Sequence, residues 1–186
     1  MSAVWTEPFS GDDDVLRRWR SGDERAFDDL FLRYYRPVYR VLQGVVGSPQ
    51  EAEDLAQETF LVLYRNPPRL EGAGFGPWLY RVAANRGYNA LRRARQHKEQ
   101  AINAAVPVDP QSEFLRQEER QRVRGTLARL PERSAKLLLL RYGGLSYAEI
   151  AFALEIAPSS VGTLLARAER AFITDYEAGQ TAEREG

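Results

Sequence analysis

The sequence predicts an all-α protein of two helical domains joined by a flexible linker. Three observations lead there. Apolar residues recur at three-and-four spacing, as in Phe27, Leu30, Phe31, Tyr34, Tyr35, Val38, Tyr39, Leu42, Val45 and Val46. Start and stop signals agree with that period. Ser48 with Glu51, and Ser146 with Glu149, have capping-box spacing, while Asn66-Pro67-Pro68 and Gly143-Gly144 are breakers. Residues 99–112 lose the period and carry two prolines, which places a linker between a domain over 13–98 and another over 113–178.

The bulk numbers narrow the class. Of 186 residues, 44% are hydrophobic, enough for one core or two modest ones. Basic and acidic residues balance at 26 each. There is no cysteine, so neither a disulfide framework nor a cysteine metal site is possible. No apolar run approaches the roughly 20 residues of a membrane span. The acidic N-terminus lacks a charged-then-apolar signal pattern. The expectation is a soluble, cytoplasmic protein with no membrane insertion of its own.

In chain order, residues 1–12 read as a loose leader. Val15, Leu16 and Trp19 make a short helical stripe that ends near Ser21-Gly22. The long apolar-periodic run that follows is expected to kink or divide at Pro37, which lacks a donor and clashes with the preceding turn. Gly47 is expected to end it. Ser48-Pro49 then starts a helix to about Arg65, with Ala52, Leu55, Ala56, Thr59, Phe60, Val62 and Leu63 inward. Asp54 is one turn from both Gln57 and Glu58 on that helix. The resulting acidic-amide edge could pair with arginines of a partner, or be a solvated face; spacing alone leaves both open.

Arg69 to Gly76 is a glycine-rich loop, and a basic helix follows within Phe75 to Lys98. From Arg81 to Lys98 there are six basic residues and no acid, so the neutral total hides a segregated charge. Arg81, Asn85, Tyr88, Asn89, Arg92 and Gln96 fall on one helical face, and Val82, Ala83, Ala90, Leu91 and Ala94 on the other. Trp78 and Tyr80 at its head offer flat faces for stacking on bases, although core packing is the favoured role for Trp78. A basic face with amides and aromatics suits phosphates and unstacked bases. Taken alone, the stretch would read as a solvated amphipathic helix.

The second block is also helical. Leu115, Val123, Leu127 and Leu130 form one stripe, and Pro131-Glu132 restarts a helix carrying four consecutive leucines. A helix from Ser146, with Ile150, Ala151 and Leu154 inward, meets a short turn with a serine cap available. A second helix over 160–176 carries Val161, Leu164, Leu165, Ala168 and Phe172 inward. Two helices joined by a tight turn form a unit able to enter the major groove. His97, the single histidine, reads as a phosphate neighbour or surface residue, and no catalytic constellation, metal site or cofactor site is found.

Three stretches resemble a known family: AEDLAQETFLVLYRN (52–66), FGPWLYRVAANRGYNALRRARQ (75–96) and LPERSAKLLLLRYGGLSYAEIAFAL (130–154). In this order they resemble bacterial sigma-70 factors of the small extracytoplasmic-function type, over roughly residues 13–178. The resemblance implies a non-enzymatic protein that binds core RNA polymerase and directs it to promoters. The alternative is a free-standing helix-turn-helix regulator that does not engage polymerase. On the family's pattern, domain 2 binds core polymerase through Asp54, Leu55, Gln57 and Glu58. It reads and melts the minus-ten element through Asn85, with Arg81, Arg86, Asn89, Arg92 and Arg93. The loop from Arg69 to Gly76 matches the family's base pocket. Domain 4 reads the minus-thirty-five element through Ser159, Ser160, Thr163, Arg167 and Arg170. Gly162 and Leu164 stand where the family commonly has cations or, in an alternative register, Leu164, Leu165 and Ala166 do; either register implies weaker readout there. An anti-sigma factor is a further implied partner.

Overall fold

The computed structural model describes residues 12–46, 48–68, 74–100 and 111–185, and every regular element among them is a helix. The order is α1 (Asp12–Arg20), α2 (Glu24–Gln43), α3 (Pro49–Arg65), α4 (Phe75–Gln100), α5 (Gln111–Arg129), α6 (Glu132–Tyr142), α7 (Tyr147–Leu154) and α8 (Pro158–Glu185).

Local chemistry sets most of the boundaries. Gly22 takes φ 97, a left-handed turn that closes α1 and that glycine adopts without steric cost. Asp23 caps α2 by accepting from the Arg25 amide, and the Arg18 guanidinium grips the same carboxylate at 2.7 Å. That grip, with hydrogen bonding, holds the Asp23 carboxyl below its ordinary range. Ser48 caps α3 by accepting from the Glu51 amide. Ser146 and Glu149 complete both halves of a capping box on α7.

Several expectations are corrected. Asp12, assigned to a loose leader, is helical and fully buried. It accepts from Tyr34 Oη and from Arg33 Nη1. Burial outweighs these partners and raises its carboxyl pKa. Of the two outcomes expected at Pro37, division does not occur: α2 runs unbroken to Gln43 and is capped by Gly44 rather than Gly47. The serine cap before α8 is absent, because Pro158 and Ser159 are already helical. Residues 1–11, Gly47, most of the glycine-rich loop (69–73) and the centre of the linker (101–110) lie outside the described residues, as does the side chain of Leu115.

The first half packs α1, α3 and α4 around α2. Leu30, Tyr34, Val38, Val41 and Leu42 of α2 are buried with Ala56, Phe60 and Leu63 of α3 and Phe75, Leu79 and Ala83 of α4. The second half packs α5, α6 and α7 on α8 through Leu127, Leu138, Ile150, Val161 and Leu165. The two halves touch, and their buried residues form one continuous cluster. Among the described residues, no single helix is long and apolar enough to cross a membrane.

Candidate nucleic-acid and polymerase-docking surfaces

Helix α4 is held by two adjacent rows of small and aromatic residues. Phe75, Leu79, Ala83, Gly87 and Leu91 repeat every four residues, and Tyr80, Ala84 and Tyr88 run alongside; all are buried. Gly87 permits close approach to the end of α2 and the turn after it, since a Cβ there would lie 3.4 Å from Leu42 Cδ2 and 3.1 Å from Val45 Cγ2. Tyr34 fixes the head of α4 through edge contacts to Phe75 at 5.2 Å and Tyr80 at 6.0 Å. Behind it, Asp12 ties Tyr34 to α1, and burial drives the Tyr34 and Tyr80 hydroxyl pKa values upward.

This packing corrects the expected face. Tyr88 is buried beneath Lys136 Nζ, 5.9 Å from the ring centroid, and is not on the open polar side. Tyr80 is core, so it is not free to stack on bases. Trp78 is half-buried and stacks on Phe75 at 6.2 Å. Ala94 is exposed rather than inward.

The remaining polar side of α4 divides along its length. At the C-terminal end, Asn89, Arg92 and Arg93 are exposed, and the two arginines have no ion-pair partner among the described residues. Arg95 reaches the Ala128 carbonyl at 3.3 Å. At the head, Arg81 pairs with Glu155, and Asn85 lines a cleft of about 440 Å3 with Glu132, Arg133, Lys136 and Leu154. Arg86 pairs with Glu58 of α3 at 2.7 Å.

On α3, Asp54, Gln57 and Glu58 are all exposed, while Leu55 is half-buried against the core. Asp54 accepts only a 3.3 Å bond from Gln50 Nε2. Leu61, one turn beyond Gln57, is 51% exposed and extends the edge with an apolar side chain. Its place off the inward stripe was the signal for it. Phe60, beside it in sequence, is core and packs edge-on against Phe31 at 4.9 Å.

On α8, Ser159, Thr163, Arg167 and Arg170 are exposed on one side and Ser160 is half-buried. Val161, Leu165 and Ala168 anchor the opposite side. Leu164 packs on the core, so its position is not open to a partner here. Gly162 sits below Tyr147, where a Cβ would meet the ring at 3.5 Å. Sequence reasoning missed Lys136, Phe152 and Glu155, which cover α4 from the second half. No sequence pattern points to them, because the cover depends on how the halves dock. His97 is exposed, and no cluster able to hold a metal is present among the described residues.

A family model described as Sigma-70 region 2 matches residues 30–97, and one described as Sigma-70, region 4 matches residues 120–172. The RNA polymerase sigma-H factor of Pseudomonas aeruginosa is 33% identical over 175 residues, covering 86% of this chain and 91% of the relative. The ECF RNA polymerase sigma factor SigM of Mycobacterium tuberculosis is 30% identical over 159 residues, covering 84% and 80%. Among solved structures, CnrH in complex with the cytosolic domain of CnrY shares the fold, with a TM-score of 0.59 and 22% identity over 90% of this chain and 97% of that one.

Proposed function

The chain belongs to the sigma-70 family, in its extracytoplasmic-function group, and from that membership we propose how its helices divide the work. The protein binds core RNA polymerase and directs it to promoters; a regulator that never engages polymerase is not favoured. Asp54, Gln57 and Glu58, with Leu61 beside them, dock on the polymerase. Carboxylates and an amide on one open edge suit arginines of a partner helix, and an exposed leucine adds apolar area.

The polar side of α4 takes the parted strand. Arg81, Arg86, Arg92 and Arg93 face phosphates, Asn89 adds an amide, and Asn85 holds the edge of an extruded base with its paired donor and acceptor. The α7–α8 unit reads upstream duplex with Ser159, Ser160, Thr163, Arg167 and Arg170. Two cations on that side supply modest phosphate attraction, so α4 carries much of the promoter energy. The polymerase does the chemistry, and this chain supplies binding and positioning in the cytoplasm. An anti-sigma factor is its natural antagonist, in keeping with the fold shared with CnrH, which was solved with CnrY.

The observation that carries this reading is the adjacency of the open α3 edge and the basic side of α4, joined by Glu58 and Arg86. Run-off transcription with core polymerase and genomic promoter fragments tests it. Specific transcripts should depend on this chain and be lost in the Asp54→Arg variant.

A further inference from the structure

We propose that an apolar cavity at the C-terminal end of α2 is the docking site of this chain's own leader, with Trp5 and Phe9 as its anchors. The proposal is independent of the roles given to α3 and α4. The cavity has a volume of about 470 Å3. Val41 of α2, Leu127 of α5, Leu138 of α6 and Phe172 of α8 line it. Tyr142 and Ile173 also border it, and they are 76% and 52% exposed. Large exposed apolar side chains around an apolar hollow mark a surface that takes a partner. Arg40 and Glu169 are the charged groups beside it.

The course of α1 singles out the leader as occupant. Arg18, near the end of α1, pairs with Asp23 and Asp29 near the start of α2. Asp12, at the start of α1, is held by Arg33 and Tyr34 further along α2. The two helices are therefore antiparallel, and the upstream continuation of α1 points to the C-terminal end of α2. Arg33 and Tyr34 share a helical face with Arg40 and Val41, two turns on. Those two residues, with Gly44, are what this end of α2 contributes to the cavity. From Tyr34 to Gly44 is about 15 Å at about 1.5 Å per residue. The stretch from Trp5 to Asp12 spans up to about 25 Å when extended, so Trp5 reaches the cavity with slack.

The composition of the leader fits the cavity. Residues 1–11 read MSAVWTEPFSG. A segment with no place on a folded surface is ordinarily poor in aromatics. This one carries two large ones, Trp5 and Phe9. Each buries about 150–250 Å2 when covered, and an indole N–H suits a cavity with a carboxylate such as Glu169 beside it. Pro8 biases Glu7 to an extended backbone, as a segment laid along a helix requires. Glu7 precedes Asp12 as Arg40 follows Arg33, so a Glu7–Arg40 pair would repeat the Asp12–Arg33 pair two turns along α2. Tethered through Asp12, the anchors meet the cavity at an effective concentration of about a millimolar. A free apolar molecule must compete with that.

The chain has three tryptophans, so 5-fluorotryptophan gives three fluorine signals, and Trp5→Phe assigns one of them. With a soluble gadolinium chelate in the sample, Trp5 of the full chain should be shielded as well as Trp19, which is 8% exposed. Ile173→Glu sets a carboxylate beside the cavity at a half-exposed position, where a substitution costs the fold little, and unchanged Trp19 and Trp78 signals check that. A leader docked nine-tenths of the time exposes Trp5 one-tenth of the time, so its release by Ile173→Glu should raise the Trp5 relaxation about tenfold. Wild-type Trp5 that relaxes like free fluorotryptophan overturns the proposal, as does shielding that survives Ile173→Glu. Shielding lost on dilution, in step with a dimer in sedimentation, overturns it in favour of a second copy. A second arm reads the cavity itself. Anilinonaphthalene sulfonate should bind the full-length Trp5→Ser, Phe9→Ser variant about tenfold more tightly than wild type. Equal binding would make the cavity a site for free apolar ligands and remove the leader from it.

Discussion

Replacing Asp54 by arginine separates docking from folding more cleanly than any other change on α3. Its carboxylate is exposed and accepts one long bond from Gln50, also exposed. Losing that should move stability by no more than about 0.5 kcal/mol, the usual range for a surface change. For a chain of this size that is about 1–2 °C in Tm. Glu58 is a poorer probe, because its charge also pairs with Arg86. At an interface the arithmetic reverses. Breaking one partner of a desolvated, hydrogen-bonded charge pair costs about 2–5 kcal/mol. That corresponds to at least about a 30-fold loss of affinity. Anisotropy titration of labelled chain with core polymerase reads the affinity, and calorimetry of the free chain reads the fold. Unchanged affinity would refute the docking edge. A Tm loss above about 5 °C would show that Asp54 holds the helix instead.

Other changes follow from the same geometry. Arg92→Ala with Arg93→Ala should lower the slope of log affinity against log salt by about two for holoenzyme on promoter DNA, since each lost phosphate contact removes about one; an unchanged slope would put both residues off the DNA. Ser146→Ala removes the side-chain half of the capping box on α7 and should cost about 1 kcal/mol in denaturant unfolding, whereas no loss would make the cap incidental. Asp12→Asn tests the buried carboxyl. Its folded pKa is raised by burial, so the folded state holds that proton more tightly than the unfolded one. Its contribution is therefore greatest below about pH 3.9 and is lost as pH rises through the higher folded value. Wild type should weaken relative to Asp12→Asn as pH rises above about 4, and parallel stability curves would contradict this.

The helices were legible because period, caps and breakers agreed. Ser48 with Glu51 and Ser146 with Glu149 announced α3 and α7 locally, and both caps form. What failed was whatever depends on distant partners. Asp12 reads as leader until Tyr34 and Arg33 claim it across the fold. Tyr88 has helical spacing for the polar side, yet Lys136 from the other half buries it. Pro37 breaks a local rule, but α2 is the central helix and its packing on both flanks of that residue keeps it whole. On the surfaces, the open placement of Asp54, Gln57, Glu58 and Arg92 was readable from spacing, while Arg93, Thr163 and Arg167, also exposed, came only from the family resemblance. The cover over Arg81 and Asn85 was not, since no periodicity encodes where a second domain docks.

The central claim is that α4 opens promoter DNA by holding an extruded base, and Asn85→Ala in permanganate footprinting tests it most directly. Holoenzyme with this variant is compared with wild type on a duplex promoter and on the same promoter carrying a pre-melted bubble. A base-edge contact of about 1–3 kcal/mol predicts a loss of roughly 5- to 150-fold in open complex on the duplex. If capture during opening is the main role, the loss should shrink on the bubble, where unpairing is already done. Equal footprints of variant and wild type on both templates would contradict the claim and leave Asn85 an ordinary amide at a domain boundary.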